Sequence, residues 1–329
     1  MNSAKIAVVI PHFQRKKGLL INALQSVFNQ TISDKVLVIV VDDDSPSPAY
    51  DDVSLIDEQY KARISVIKRK NGGAGAARNT ALDHVPDGVE FVAFLDSDDA
   101  WRPKHLENAL LGLSQGYEAY FSDWWSFNYP EQTNFERIQS INPVNHKIIS
   151  GSNCIYELGM SAIEHIIGDG GGVIQTSTVV YRYDKYKNLR FREEFYNGQD
   201  FFFWMDLGEL GARFVFCTET GCDNGEGINI YQSAGWGTER SLQRIRNEIF
   251  VWTSANRFYA LPKKLKARND KKIRGLEMSA IRDVMYRIKR RLPVRADILM
   301  DIFRLDPFFA IRAPLAPFKV VLEKLFDKN

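Results

Sequence analysis

Three carboxylates occur within four residues at a point where a buried strand is predicted to end. Residues 91–95 are uniformly apolar, as in a strand enclosed by the protein, and Asp96, Ser97, Asp98 and Asp99 follow them directly. Clustered carboxylates repel one another unless a positive group lies between them. A hard divalent cation that keeps open positions for phosphate oxygens is the usual solution. The alternative interpretation is a solvated turn that caps the next helix.

Alternating strands and helices are predicted to position these carboxylates. Strands are expected at 5–10, 36–41, 64–67 and 91–95, with helices within 18–31 and 51–60 and after the glycine turn of 71–79. This alternation predicts an α/β fold with a mostly parallel, doubly wound sheet and helices on both faces. Ligands of such sheets bind at the carboxyl ends of the strands. Three polar strand ends, 11–15, 42–45 and 96–99, should therefore meet in one crevice.

The position of the glycines excludes two common nucleotide-binding patterns. A dinucleotide-binding fold has its glycine fingerprint after the first strand, where this chain has Pro11, His12 and Phe13. The glycine turn follows the third strand instead, and no lysine of the phosphate-loop type comes after it.

Composition predicts a protein of a reducing compartment. The 329 residues are 45% hydrophobic, enough for one large domain or one domain with an appendage. Three cysteines, at 154, 217 and 222, do not suggest a disulfide framework and are interpreted as free thiols. The first residues run straight into a strand without a signal-peptide pattern, and no apolar run reaches the length of a membrane span. We expect a cytoplasmic protein.

The charge is unevenly distributed along the chain. Residues 257–295 contain 14 Lys or Arg and 3 Asp or Glu, a local charge of +11 in a chain of net charge +2. The remainder therefore carries 2 − 11 = −9. Such asymmetry predicts an anionic partner, and we expect an anionic membrane surface rather than nucleic acid. The apolar residues of 298–326 are interrupted by prolines, so this segment is expected to lie in a membrane interface or, alternatively, to pack on the catalytic domain.

Five sequence blocks between residues 5 and 106 resemble those of family 2 glycosyltransferases with the GT-A fold. They are Ile-Pro-His-Phe-Gln-Arg, Ala-Leu-Gln-Ser-Val-Phe-Asn-Gln-Thr, Val-Val-Asp-Asp-Asp-Ser, Gly-Ala-Ala-Arg-Asn-Thr and Phe-Leu-Asp-Ser-Asp-Asp-Ala-Trp-Arg-Pro, in that order. The resemblance implies a nucleotide-sugar donor, Mg²⁺ or Mn²⁺ as cofactor, and inversion at the anomeric carbon.

The resemblance also implies roles for individual residues. Pro11 and Phe13 would line the base pocket, and Asp43 would accept the uracil N3 hydrogen. The remaining nucleotide-sugar contacts would come from Arg15, Arg78, Asp96 and Ser97, and Asp98 would bind the metal. The alternatives are a core aromatic for Phe13, a helix N-cap for Asp43 and a surface ion pair for Arg78.

Asp200 corresponds to the family block in which an acidic pair opens a helix facing the acceptor. Gln199 replaces the first acid, so Asp200 alone can act as the general base. The helix dipole would lower its pKa and an apolar wall would raise it. The alternative role is a plain N-cap. We also expect residues 221–237, which contain five glycines, to form a loop that closes over substrate.

Shorter motifs resemble a subgroup that adds glucose to a lipid-linked oligosaccharide during bacterial succinoglycan assembly. They are Gly-Glu-Gly-Ile-Asn-Ile, the basic block at 287–293, the segment 304–307 and the Pro-Ser-Pro after Asp44. We expect a GT-A catalytic domain at 1–240 and a helical, basic region at 241–329. The expected activity is transfer of one hexose, glucose, from a UDP-sugar to a lipid-linked glycan. The alternatives are a nucleotidyltransferase and a non-catalytic nucleotide-sugar-binding protein.

Overall fold

The computed structural model describes residues 5–170, 172–225 and 234–309. The chain forms two compact units. Unit 1 consists of Met1–Glu194 and Gln199–Ile228, and unit 2 of Phe195–Gly198 and Asn229–Asn329. The domain boundary expected at residue 240 stays a prediction.

Unit 1 is built on one sheet. Its strands, among the described residues, are β1 Ile6–His12, β2 Val36–Asp42, β3 Ile64–Lys68, β4 Phe91–Phe94, β5 Ala100–Trp101, β6 Ala119–Ser126, β7 Ile155–Glu157, β8 Val180–Arg182 and β9 Phe214–Asn224. Their order in the sheet is β3-β2-β1-β4-β8-β6-β9-β5, and β7 also pairs with β9. The strands β3, β2, β1 and β4 are parallel, as the alternation of strands and helices predicts. From β8 onward the sheet is mixed.

Helices connect and cover these strands. The α-helices of unit 1 are α1 Leu19–Phe28, α2 Ala49–Val53, α3 Glu58–Lys61, α4 Ala74–Asp83, α5 His105–Leu113, α6 Asn134–Ile138, α7 Ala162–His165 and α8 Gln199–Glu209. Unit 2 contains α9 Ser241–Phe258, α10 Lys263–Arg290 and α11 Ala296–Leu305. The single helix expected within 51–60 is divided into α2 and α3.

The two faces of the sheet pack against different helices, because successive strand side chains point to opposite faces. One face joins alternate aliphatic residues of β1 and β2 to the apolar sides of α1 and α5 in one buried cluster. On the other face, the buried ring of Phe94 meets Phe203 of α8 at 5.6 Å between centroids and Phe191 at 5.2 Å. This aromatic contact holds α8 against β4, the strand that leads into the carboxylate run.

The C-terminal part of unit 1 differs from the expected outline. The strand β9 continues to Asn224, so the first residues of the expected closing loop belong to the sheet. Residues 226–233 of that loop lie outside the described residues. The three cysteines are buried free thiols, as expected. The Sγ atoms of Cys154 and Cys217 are 3.5 Å apart, because Cys154 directly precedes β7, whose first residue, Ile155, pairs with Cys217 of β9.

Candidate active site

The three polar strand ends meet, as the parallel strand order predicts. The backbone N–H of Leu95 donates to the backbone carbonyl of Val9 at 3.1 Å, so the end of β4 lies beside β1. Gln14, just after β1, then contacts both neighbouring strand ends. Its side-chain amide donates to Ser97 Oγ at 3.1 Å, and its backbone N–H donates to Ser45 Oγ at 2.8 Å. Hydrogen bonds made by Gln14 therefore hold together the three strand ends of the predicted crevice.

Asp43 is buried and engages the glycine turn. Its carboxylate accepts hydrogen bonds from the backbone N–H groups of Gly72, at 3.0 Å, and Gly73, at 2.7 Å. It also pairs with Arg69 Nε at 3.2 Å. Gly73 has a φ of 89°, a conformation that favours glycine, so the tight turn depends on this residue type. Asp43 thus fixes the turn before α4, which differs from the alternative role of a helix N-cap, and its contact with uracil stays a prediction.

Arg78 and Asp96 form an ion pair at the centre of the site. The Arg78 side chain is nearly fully buried, and its Nη2 donates to Asp96 Oδ1. The guanidinium carbon also lies 5.3 Å from the centre of the Phe191 ring, a cation–π contact. The ion pair of Arg78 is therefore internal, unlike the surface ion pair of the alternative interpretation, and it joins α4 to the end of β4.

Asp99 was missed by the sequence reasoning, although it is the third acid of the run. Its buried carboxylate accepts hydrogen bonds from four donors: Gln175 Nε2 at 2.8 Å, Ser177 Oγ at 2.6 Å, Asn224 Nδ2 at 3.0 Å and the Gly225 N–H at 3.0 Å. Burial raises the pKa of Asp99 to about 7, and the nearby charges of Asp98 and Asp96 add to this shift. Asp99 anchors the turn. Its hydrogen-bond donors lie far from it along the chain, so the sequence alone does not indicate this role.

The carboxylate run fits a divalent cation. Carboxylate oxygens are the ligands that Mg²⁺ and Mn²⁺ prefer, and such ions take one or two of them together with phosphate oxygens. Asp98 and Asp96 are half-buried at the end of β4, and their negative charges raise the pKa of Asp99. A cation at this turn would relieve that repulsion.

Asp200 lies at the start of α8, near the Arg78–Asp96 pair. Burial raises the pKa of Asp200; the charge of Arg78 opposes this shift, and that of Asp96 contributes to it. Oδ1 of Asp200 accepts a hydrogen bond from the Phe201 N–H at 3.0 Å. The structure therefore brings the predicted base within electrostatic range of the carboxylate run.

The helix α4 positions the approach to α8. The side-chain amide of Asn79 makes two hydrogen bonds to the backbone of Phe191, accepting from N–H at 2.7 Å and donating to the carbonyl at 2.8 Å. It also donates to Glu193 Oε1 at 2.8 Å. Nearer the N-terminus of α4, a Cβ on Gly75 would overlap Oε1 of Gln199, so the glycine allows this close approach without displacing the glutamine side chain.

The remaining predicted nucleotide-sugar residues lie around the end of β1. Pro11 is buried in β1, opposite Val41 of β2. Phe13 is half-buried and Arg15 is exposed. Ser97 is buried against Gln14. The roles assigned to these residues stay predictions.

Comparisons with known proteins agree with this fold and identify the family. The family model described as Glycosyl transferase family 2 matches residues 7–192, more than half of the chain. The chain belongs to this family, and it is a glycosyltransferase with the GT-A fold.

Two individual relatives show which proteins of the family this sequence resembles. Over 315 residues, 92% of this chain and 95% of the relative, the sequence is 32% identical to the succinoglycan biosynthesis protein ExoW of Rhizobium meliloti. It is 24% identical to the amylovoran biosynthesis glycosyltransferase AmsB of Erwinia amylovora, over 78% of each chain. Both are proteins of exopolysaccharide biosynthesis by name.

Two solved structures share the fold. S. aureus TarS 1–349 in complex with UDP-GlcNAc has a TM-score of 0.57 at 18% identity, covering 94% of this chain and 81% of TarS. The mannosyltransferase PcManGT of Pyrobaculum calidifontis, in complex with GDP-Man and Mn²⁺, has a TM-score of 0.60 at 15% identity, covering 99% and 88%.

Proposed function

We propose that this protein is a metal-dependent, inverting glycosyltransferase that moves a single hexose, glucose, from a UDP-sugar to a lipid-linked oligosaccharide in surface-glycan synthesis. The observation that carries the proposal is the convergence on α4. This helix pairs Arg78 with Asp96 of the carboxylate run and contacts the start of α8, where Asp200 lies. Donor-side and acceptor-side groups are thus held by one element of a GT-A fold.

On the donor side, Asp98 would hold Mg²⁺ or Mn²⁺. The cation, when bound, neutralises charge on the diphosphate leaving group. Asp96 would contact the ribose or sugar, and Arg78 fixes the orientation of its carboxylate. Pro11, Phe13, Arg15, Asp43 and Ser97 would complete the nucleotide-sugar site.

On the acceptor side, Asp200 would take the proton of the attacking hydroxyl. Burial raises the pKa of Asp200, which makes its carboxylate a stronger base than an ordinary aspartate. A single base and one in-line displacement invert the anomeric carbon, so an α-linked donor yields a β-linked product.

The choice of donor and acceptor is supported by the relatives. TarS was solved with UDP-GlcNAc, whereas PcManGT was solved with GDP-Man, so the fold alone does not select the nucleotide. The similarity to a succinoglycan biosynthesis protein over 92% of the chain supports a role in polysaccharide synthesis. Glucose and a lipid-linked oligosaccharide are proposed from the sequence motifs that resemble the succinoglycan-assembly subgroup. None of the helices in residues 5–170, 172–225 and 234–309 combines the length and apolar character needed to cross a bilayer. We place the enzyme in the cytoplasm, peripherally at the inner face of the membrane where such an acceptor lies.

A donor panel tests the proposal. Purified full-length protein is incubated with UDP-glucose, UDP-galactose, UDP-GlcNAc and GDP-mannose, with and without Mg²⁺ or Mn²⁺, and release of nucleoside diphosphate is measured. We expect slow hydrolysis of UDP-glucose that a chelator stops, and transfer when a lipid-linked acceptor is added. Pyrophosphate release from a nucleoside triphosphate would identify a nucleotidyltransferase instead. Tight donor binding without turnover under any condition would identify a binding protein.

A further inference from the structure

The helix α10 has two faces of opposite character. Its buried residues, which pack within unit 2, are Asn269, Ile273, Glu277, Ala280, Asp283 and Arg287. Glu277 and Asp283 are thus turned inward, and the remaining acid, Asp270, is half-buried beside Lys266 at 3.4 Å. The acidic residues of α10 are therefore withdrawn from its exposed side.

Every exposed charged residue of α10 is Lys or Arg. These are Lys263, Lys264, Lys266, Arg268, Lys271, Arg274, Arg282, Lys289 and Arg290. At about 100° of rotation per residue, Lys264, Lys271, Arg282 and Lys289 lie within about 20° of one direction around the axis. From Lys264 to Lys289 this row extends for about 38 Å at 1.5 Å per residue. We call these four residues and their exposed basic neighbours the basic face of α10.

Exposed apolar side chains occur at the C-terminal end of this face. Ile288 is 66% exposed and Leu292 is 41% exposed, on either side of the basic residues 289–291. Trp236 is 55% exposed, and its ring packs on Tyr286 at 4.6 Å between centroids. Aliphatic and Trp/Tyr side chains among cations are typical of segments that lie in a membrane interface.

Apolar residues of α11 are buried inside unit 2. A position in a membrane interface was one alternative predicted for this segment. Ile298, Ile302 and Phe309 are buried in the cluster that joins α11 to α9 and α10. These three residues thus pack on the other helices of unit 2. Residues 310–329 lie outside the described residues. The exposed basic and apolar residues described above therefore belong to α10 and its surroundings, whereas Ile298 and Ile302 of α11 are enclosed within unit 2.

We propose that the basic face of α10, with Trp236, Ile288 and Leu292 at its end, is the surface by which this protein docks on a bilayer containing anionic phospholipids. The row is straight and long enough to contact many headgroups at once. Each well-placed cation near an anionic surface strengthens binding about fivefold, and the effect fades with salt. Insertion of Trp236, Ile288 and Leu292 adds apolar burial. This docking deepens the proposed function. It rests on that function in one respect, because a lipid-linked acceptor is the reason for the enzyme to bind a membrane.

Vesicle co-sedimentation of the full-length protein tests this docking surface. The test variant is Lys271→Glu with Arg274→Glu and Arg282→Glu. The matched control is Lys104→Glu with Lys147→Glu and Lys187→Glu, three exposed cations of unit 1 that produce the same change of net charge. Vesicles are made of phosphatidylcholine alone or mixed equally with phosphatidylglycerol.

We expect wild type and the control variant to bind the mixed vesicles, to release at high salt and to ignore pure phosphatidylcholine. The test variant should bind at least about 100-fold more weakly. Trp236→Phe should reduce the blue shift of tryptophan fluorescence that vesicles cause in wild type. Equal losses in test and control variants, or no binding by wild type, overturn the proposal.

Three further measurements distinguish a loss of membrane binding from misfolding, from nucleic-acid binding and from a loss of enzymatic activity. Circular dichroism checks folding, and if the charge-reversed protein does not fold, Lys264→Gln with Lys271→Gln and Lys289→Gln replaces it. Tighter binding to an oligonucleotide than to vesicles, lost in the test variant, would assign the surface to nucleic acid and overturn the membrane proposal. Donor hydrolysis in solution should be the same in all variants, so a wrong enzymatic proposal shows itself there and not in the vesicle assay.

Discussion

Asp96 connects two sets of contacts at the residue scale. Its carboxylate pairs with the buried Arg78, and its backbone N–H donates to Ser177 Oγ at 2.9 Å. The same hydroxyl donates to Asp99 at 2.6 Å. Both ends of the carboxylate turn are therefore held by buried groups, which preorganises Asp98 between them for its proposed ligand.

The first prediction concerns Asp98. Asp98→Asn should leave the fold intact and abolish transfer, because it removes a charged ligand of the cation that offsets the diphosphate charge. Donor turnover is measured across a titration of Mn²⁺. Asp87→Asn, at an exposed site of unit 1, is the control and should behave as wild type. Full turnover by the Asp98 variant, together with wild-type activity that resists a chelator, would rule out this metal role.

The second prediction concerns Asp200. Asp200→Asn should lower turnover by roughly 10²–10⁴ and change donor affinity only a few-fold, as expected for loss of a positioned base. Because the base must be deprotonated, wild-type activity should fall as the pH drops through the pKa of Asp200. Since burial raises that pKa, the loss should occur above the usual aspartate value of about 3.9.

Glu209→Gln, at the exposed end of α8, is the control for Asp200→Asn and should retain turnover. Steady-state transfer gives turnover as a function of pH, and titration calorimetry gives donor affinity. A collapse of donor affinity in the Asp200 variant would make this residue part of the donor site, contrary to the assignment.

At the element scale, α4 is the helix that relates the two halves of the site. The turn before it is held by Asp43, its middle pairs with Asp96 through Arg78, and Asn79 fixes the chain that leads to α8. Small displacements of α4 should therefore change catalysis without removing any reacting group.

The third prediction tests this coupling at Gly75. Gly75→Ala would push its methyl group into Gln199, the neighbour of Asp200, and should lower turnover with little effect on donor affinity. Adding Gln199→Ala should restore much of the loss, because the shorter side chain frees the space. Turnover of the two single variants and the double variant is compared in a double-mutant cycle. Simple additivity of the two changes would show that the contact does not couple α4 to the base.

At the scale of the whole molecule, the chain separates its charge between two compact units. The stretch 257–295 carries the local +11, while the carboxylate run and its neighbours lie in unit 1. Within unit 2, a buried network secures the helices. Arg287 pairs with Asp283 at 2.7 Å and donates to the carbonyls of Thr238 and Pro293, and Ser241 donates to Asp283 at 2.6 Å.

The fourth prediction concerns this network. Arg287→Met should lower the free energy of unfolding of unit 2 by roughly 3–5 kcal/mol, because Asp283 would be left buried without its partner. Arg290→Met, one turn away and exposed, should change it little. Scanning calorimetry of the full chain measures both. Removing both charges, in Asp283→Leu with Arg287→Met, should be less damaging than the single Arg287 change, and the opposite order would contradict the buried-pair explanation.

The sequence by itself determined the order of strands and helices in the first hundred residues and the convergence of three strand ends. Apolar runs and the polar residues that follow them depend on near neighbours, so their pattern can be read along the chain. The charge imbalance and the two-faced spacing of 263–290 are likewise properties of the sequence. Further along the chain one boundary differs from the expectation, because β9 continues to Asn224 and includes the first four residues of the predicted loop at 221–237.

Only the tertiary structure decided which groups these residues meet. The partners of Asp99 lie more than 70 positions away along the chain. The glycine partners of Asp43 follow α2, α3 and β3. The direction of the pKa shift of Asp200 required its burial to be compared with the charge of Arg78. The assignment of α11 to the core of unit 2, and of the basic face to solvent, required the packing of three helices. Such long-range contacts depend on how whole elements pack, and no local pattern of residue types specifies them.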